Sequence, residues 1–190
     1  MKKSRSSLIG DLIRRGNQRL ISNPDEITEF HAALTNELKG ASDRTIAIVW
    51  ATAVEDALRW ALITQMIGMT ETEASSLFDG GGPLANFMGK IRVGWAFDLF
   101  PTEHKHELAY IREIRNFFAH TQPGASFEDP AVKAICQTFE APRKIWGMDP
   151  DRSRASDQYG ATCDFYWCYF RNFRVGYKGS PGPQLAPASL

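Results

Sequence analysis

The sequence predicts an all-α fold, a compact single-domain bundle of about six to seven helices, and three observations carry that prediction. Helix start and stop signals recur along the first 145 residues, period-two alternation is almost absent before residue 155, and residues 44–66 form one long apolar stretch with helical periodicity. With 190 residues, 43% hydrophobic and 23% charged, the chain is long enough to bury a real core as one domain.

The elements follow in order. Leu8, Leu12, Ile13 and Leu20 stand at helical intervals in a first helix over residues 7–21. Asn23 as cap, Pro24 at the first helical position and the acids Asp25 and Glu26 open a second, which should run to about Lys39 before Gly40. Ser42 caps the third, over residues 44–66. There Ile46, Val49, Ala53, Ala57 and Trp60 make one stripe, while Ile48, Val54, Leu58 and Leu62 cover much of the rest, the pattern of a helix surrounded by neighbours. Its interior acids are Glu55 and Asp56, and a carboxylate in such a run needs an edge, a partner or a site.

A short helix is expected over residues 70–78, then a break at DGGGP, residues 79–83. No Gly-Lys-Ser/Thr follows the glycines and no strand precedes them, so they read as a turn and not as a phosphate loop. The next helix, from about Pro83 to residue 100, carries Gly89 and Gly94, each costing about 1 kcal/mol against alanine and best explained by close helix packing. HKHELAYIREIRNFFAH forms another, and Asp129 with Pro130 opens one running to about Phe139. From Ala141 onward Pro, Gly, Asp and Ser become frequent. CDFYWCYFRNFRVGY gathers residues of high strand propensity and predicts a short strand or an aromatic strip on the helices, whose Trp and Tyr residues would offer a contact face. KGSPGPQLAPASL has the composition of a disordered tail. The organisation is therefore a basic arm and helix at 1–22, a helical domain at 23–145, and an aromatic extension with a tail at 146–190.

Lys plus Arg and Asp plus Glu both number 22, so no global field draws the chain to a nucleic acid or an acidic membrane. Locally, Lys2, Lys3, Arg5, Arg14, Arg15 and Arg19 face only Asp11 at the N-terminus, which reads as a solvated positive end. No apolar run reaches the ~18 residues of a membrane span, MKKSRSSLIGDLIRRG lacks the apolar core of a secretory signal, and a cytoplasmic location is expected. Cys136, Cys163 and Cys168 form no C-x-x-C pairs, and His31, His104, His106 and His120 stand at no ligand spacing around them, so neither a metal nor a cofactor is expected.

The segment IREIRNFFAH, residues 111–120, ends an apolar helix on an Arg, an Asn and a His. At about 100° per residue, Leu108, Ile111, Ile114 and Phe118 form the buried stripe, widened by Tyr110 and Phe117. Arg112, Asn116 and His120 share a ridge on the other side. Arg115 falls on the flank of the buried stripe and needs a carboxylate, which Glu55 or Asp56 would supply, preferably through a bidentate fork. A pair between Glu55 and Arg59, four residues on, is the alternative. Asn116 and His120 also suit a helix C-terminus, where a histidine complements the dipole and an amide meets loose carbonyls.

Taken in order, SDRTIAIVWATAVEDALRWAL, LFDGGGPLANFMGKIRVGWAFDLF and IREIRNFFAHTQPGASFEDPAVKAICQTF resemble the mannitol operon repressor family over residues 25–140. That resemblance implies a helical-bundle bacterial regulator of mannitol uptake and catabolism genes. The family carries no helix-turn-helix, and no basic reading helix appears here, so direct DNA binding is not expected and repression through a regulatory protein partner is. The same stretch is similar to the R-x4-6-H motif of HEPN domains, many of them ribonucleases that dimerise so that two motifs line one cleft. On that likeness the chain would be a homodimer in which Arg115 and His120 form the catalytic pair, Asn116 is a polar companion and Glu55 or Asp56 is the upstream acid. His120 would relay a proton from a ribose 2′-hydroxyl and Arg115 would stabilise the phosphorane. The likeness departs at Gln122, where those nucleases often have Tyr. RNA enters as a partner only on this second reading.

Overall fold

The computed structural model describes residues 24–66, 69–121 and 124–173. The expected helix at 7–21, its basic arm, the Asn23 cap and the C-terminal tail lie outside the described residues. The chain divides at Ala41/Ser42 into two compact units. In the first, α1 (Pro24–Glu37) starts at the proline the sequence singles out. It stops short of Lys39, and Gly40 turns the chain at a φ of 75° that side-chain-bearing residues resist.

The second unit is built on α2 (Asp43–Gln65). Ser42 caps it as expected, its side chain accepting from the Thr45 N–H at 3.2 Å. The deepest face of α2 is not the predicted stripe. Ala47, Trp50, Ala51, Val54, Ala57, Leu58, Ala61 and Leu62 are buried, while Ile46, Val49, Ala53 and Trp60 are half-buried. The alanines decide the face, because small side chains let a neighbouring helix come close.

Thr70 and Glu73 form a reciprocal capping box at the start of α3 (Glu71–Phe78). The glycine run that follows is a structural turn. A Cβ on Gly82 would lie 2.4 Å from the carbonyl oxygens of Ser76 and Leu77, so the chain passes only without a side chain. Asn86 caps α4 (Phe87–Ala96) by accepting from the Gly89 N–H at 2.7 Å. The expected close packing on another helix holds at Gly94, where a Cβ would meet Leu58 of α2 at 3.3 Å and the Phe100 ring at 2.7 Å. It does not hold at Gly89, whose nearest neighbours are the Pro83 carbonyl at 3.0 Å and the Asn86 side chain at 3.4 Å, just before its own helix.

The Arg-Asn-His segment lies on α5 (Thr102–His120), which is unbroken to its last residue. Its end is tied to the start of α2, because an Arg44 guanidinium N–H donates to the Thr121 carbonyl at 2.6 Å. Asp43 then receives the Ser126 hydroxyl at 2.8 Å and the Phe127 N–H at 2.9 Å. Asp129 caps α6 (Pro130–Cys136) with Pro130 at its first position, and α7 (Glu140–Trp146) ends on Gly147 at a φ of 63°.

The expected strand at the C-terminus does not form. Residues 155–171 are helix α8 (Ala155–Arg171), bringing the described residues to eight helices with no strand. Aromatic propensity for sheet is overridden by tertiary packing, for α8 runs along α2 and is buried almost all round. Tyr159, Thr162, Cys163, Tyr166 and Phe170 have essentially no exposure. They are core and not a contact face. The Tyr159 hydroxyl donates to the Ala47 carbonyl at 2.9 Å and the Tyr169 hydroxyl to the Leu99 carbonyl at 2.8 Å, so each polar tip is satisfied. Phe118, Phe127 and Tyr159 continue the core as successive ring contacts at 4.8 and 5.2 Å. No helix of the described residues is long and apolar enough to cross a membrane.

Candidate functional site

Glu55 is the hub of a charged cluster between α2, α4 and α5. One carboxylate oxygen accepts from the Lys90 ammonium at 2.6 Å, and Lys90, 4% exposed, has a second acceptor in the Ala85 carbonyl at 3.3 Å. The other oxygen lies 3.5 Å from an Arg115 guanidinium nitrogen. The expected link from Arg115 to the long apolar helix is therefore present, and its acid is Glu55. It is a single ion-pair contact, not a bidentate fork, because Lys90 holds the nearer position. Arg59 does not compete for Glu55: it turns to Asp79, with N–O distances of 2.6 and 3.3 Å, and its guanidinium lies 5.4 Å from the Phe78 ring centre.

Asp56 faces another way and makes no ion pair within 4.0 Å among the described residues. Burial raises its carboxyl above the usual range, the neighbouring Glu55 adds to this, and Arg171, Arg59 and Lys90 oppose it from further off. Arg171 is the buried cation nearest in effect. Burial lowers its basicity against the pull of Asp56, its Nε lacks a hydrogen-bond partner among the described residues, and its guanidinium lies 5.8 Å from the Trp167 ring centre. A carboxyl raised on folding makes the folded state bind more protons, so this contribution to stability is complete below the ordinary carboxylate range and is lost as pH rises through the folded value. Asp56→Asn is accordingly expected to raise the midpoint of urea unfolding at neutral pH. The gain should disappear when the same measurement is made at a pH below the usual aspartate range.

The outer ridge is laid out as its spacing predicts, with Arg112, Asn116 and His120 on α5. Arg112 pairs with its neighbour Glu113. Asn116 is half-buried, His120 is exposed at the last helical residue, and neither hydrogen-bonds to another described residue through its side chain. Tyr110 does not widen the buried stripe but stands 40% exposed. Arg115 and His120 are five residues apart on an unbroken helix, a divergence of roughly 140°, so one chain does not bring them together.

Two features are absent from the sequence reading. One is Lys90, whose place between Phe87 and Ile91 on the inner face of α4 is a usable signal for a buried cation. The other is a second polar group at the start of α5. Glu107, 9% exposed, accepts from the Tyr166 hydroxyl at 2.6 Å and from the Glu140 backbone N–H at 2.7 Å. Burial, with Glu107 adding to it, keeps the Tyr166 phenol protonated far above its ordinary range, so it remains a donor. His104, one turn before Glu107, packs edge-on against Phe165, Tyr166 and Tyr169, and burial lowers its basicity. The signal was that Glu107 shares the inward stripe with Ile111, Ile114 and Phe118.

No family model, no curated protein and no solved structure matches this chain.

Proposed function

We propose that this chain is a regulatory protein of the mannitol operon repressor type, acting as a homodimer through contacts with a protein partner and not by reading DNA. The observation that carries this reading is the commitment of Arg115 to Glu55 on an unbroken helix, which turns the family-like segment into a framework and leaves no catalytic pair within one chain. Two further facts support it. The formal charge is balanced, so a duplex has no general attraction for the chain. The corner between α4 and α5 also presents exposed apolar area: Trp95 and Phe97 are 42% and 58% exposed. The Trp95 ring is held there by the Thr102 hydroxyl, which accepts its N–H at 3.2 Å, and by the Lys105 ammonium 3.6 Å from its centre. Rigid, amphipathic aromatic groups of this kind suit protein contacts.

A second reading, a metal-independent ribonuclease of HEPN type, is favoured by one observation: His120 is exposed, and neither its imidazole nor the Asn116 amide beside it has a hydrogen-bond partner among the described residues. On that reading a second subunit would supply the arginine. Labelled RNA incubated with the protein in EDTA, beside His120→Ala, separates the two. The regulatory reading expects intact RNA with both proteins and a dimeric mass in sedimentation. Cleavage that disappears in His120→Ala would establish the nuclease instead.

A further inference from the structure

Between the start of α5, α7 and α8 lies a cleft of about 330 Å³, at the small end of the range for ligand sites of ~300–1,000 Å³. Phe165, Ile145, Ala141 and Pro101 supply apolar walls, and Glu107 and His104 are the polar groups deepest in it. Glu107 is the informative one. Buried carboxylates are normally matched by a cation, yet its two hydrogen bonds come from a phenol and a backbone amide, and among the described residues it makes no ion pair. Each carboxylate oxygen accepts about two hydrogen bonds, so each keeps capacity for one more.

The cleft does not provide the missing charge. Its only lysine, Lys144, is paired with Glu140 at the rim. His104 is less basic than an ordinary imidazole because of burial, and its Nδ1 is enclosed without a hydrogen-bond partner among the described residues. Glu140 is matched by Lys144 and by the Arg143 guanidinium at 3.8 Å, which leaves Glu107 and, at the mouth, Glu103 as lining carboxylates with no ion pair among the described residues. A metal ion fits poorly, because no three of these side chains bring ligand atoms within 4.8 Å of one another. An anion would meet the carboxylates.

We propose that this cleft binds a small organic ammonium ion with a compact apolar body, the ammonium on Glu107 and the body against Phe165 and Ile145. Size excludes large ligands, the apolar walls favour a hydrocarbon or ring over a polyol, and the carboxylates select positive charge. The site is separate from the charged cluster at Glu55 and does not depend on the regulatory reading.

Isothermal titration of the full chain with 2-phenylethylamine tests this, using 2-phenylethanol and phenylacetate as neutral and anionic comparators. The amine is expected to bind at least about tenfold more tightly than either, and Glu107→Gln to remove that preference. Because Glu107 also holds Tyr166, Ile145→Trp serves as a second variant: it fills the cleft from a half-buried wall and should abolish amine binding while leaving the thermal midpoint unchanged. Equal binding of amine and alcohol, no heat from the amine up to about 10 mM, or amine binding that survives Ile145→Trp would overturn the proposal.

Discussion

Glu55→Gln is expected to lower the unfolding free energy by about 3–5 kcal/mol, the cost of stripping the partner from a buried charge. Lys90 is the reason: the residue is 4% exposed, and a neutral amide at position 55 leaves its ammonium with only uncharged acceptors, such as the Ala85 carbonyl, and no anion among the described residues. Arg115, with a side chain 33% exposed, reaches water and contributes much less to the loss. Urea denaturation followed by circular dichroism measures the difference. The double variant Glu55→Leu with Lys90→Met should recover most of it, since apolar replacements of a buried pair are often neutral or better. A loss for Glu55→Gln below about 1 kcal/mol is what an exposed pair gives, and it would show that the cluster is solvated.

Deleting residues 155–190 is expected to abolish cooperative unfolding. Helix α8 buries Tyr159, Tyr166 and Phe170 completely, along with Cys163 and Thr162. At about 1.5–3 kcal/mol for each large side chain, these residues alone approach the ~5–15 kcal/mol that holds a whole domain together. Their removal also bares the inner face of α2. The single variant Phe170→Ala is the milder form, expected to cost about 3–5 kcal/mol with the fold retained. Near-ultraviolet dichroism and a thermal melt report both. A truncated chain that still melts in one sharp transition would make α8 an appendage and not part of the core.

These two expectations also show what the sequence revealed and what it hid. Local signals with a stereochemical cause survived intact: Ser42, Thr70 and Asp129 at helix starts, Pro24 and Pro130 at first positions, and, of the two helical glycines, Gly94 where Leu58 of a neighbouring helix packs close. The all-α class followed from them. Helix α8 was obscured because its apolar residues lie on nearly every face, which erases the periodicity that separates a helix from a strand, and because Tyr, Phe and Trp raise strand propensity.

The polar centre was half legible. An acid inside an apolar helix and an arginine on the edge of a buried stripe require partners, and that need pointed to Glu55 and Arg115. It could not rank the cations. Lys90 takes the short bond because α4 crosses α2 next to Glu55, and at that crossing Gly94 lies against Leu58 of α2, a tertiary fact no spacing encodes. Glu107 stayed hidden for a similar reason, since its donors, Tyr166 and the start of α7, come from elements the sequence did not resolve.

The most direct measurement is a pair of double-mutant cycles in urea unfolding, coupling Glu55 to Lys90 and Glu55 to Arg115. A charged cluster that holds Arg115 in the framework predicts coupling of about 2–3 kcal/mol for the first pair and about 0.5–1 kcal/mol for the second. Coupling indistinguishable from zero in both cycles would mean that Arg115 is free to serve elsewhere, and would contradict the account.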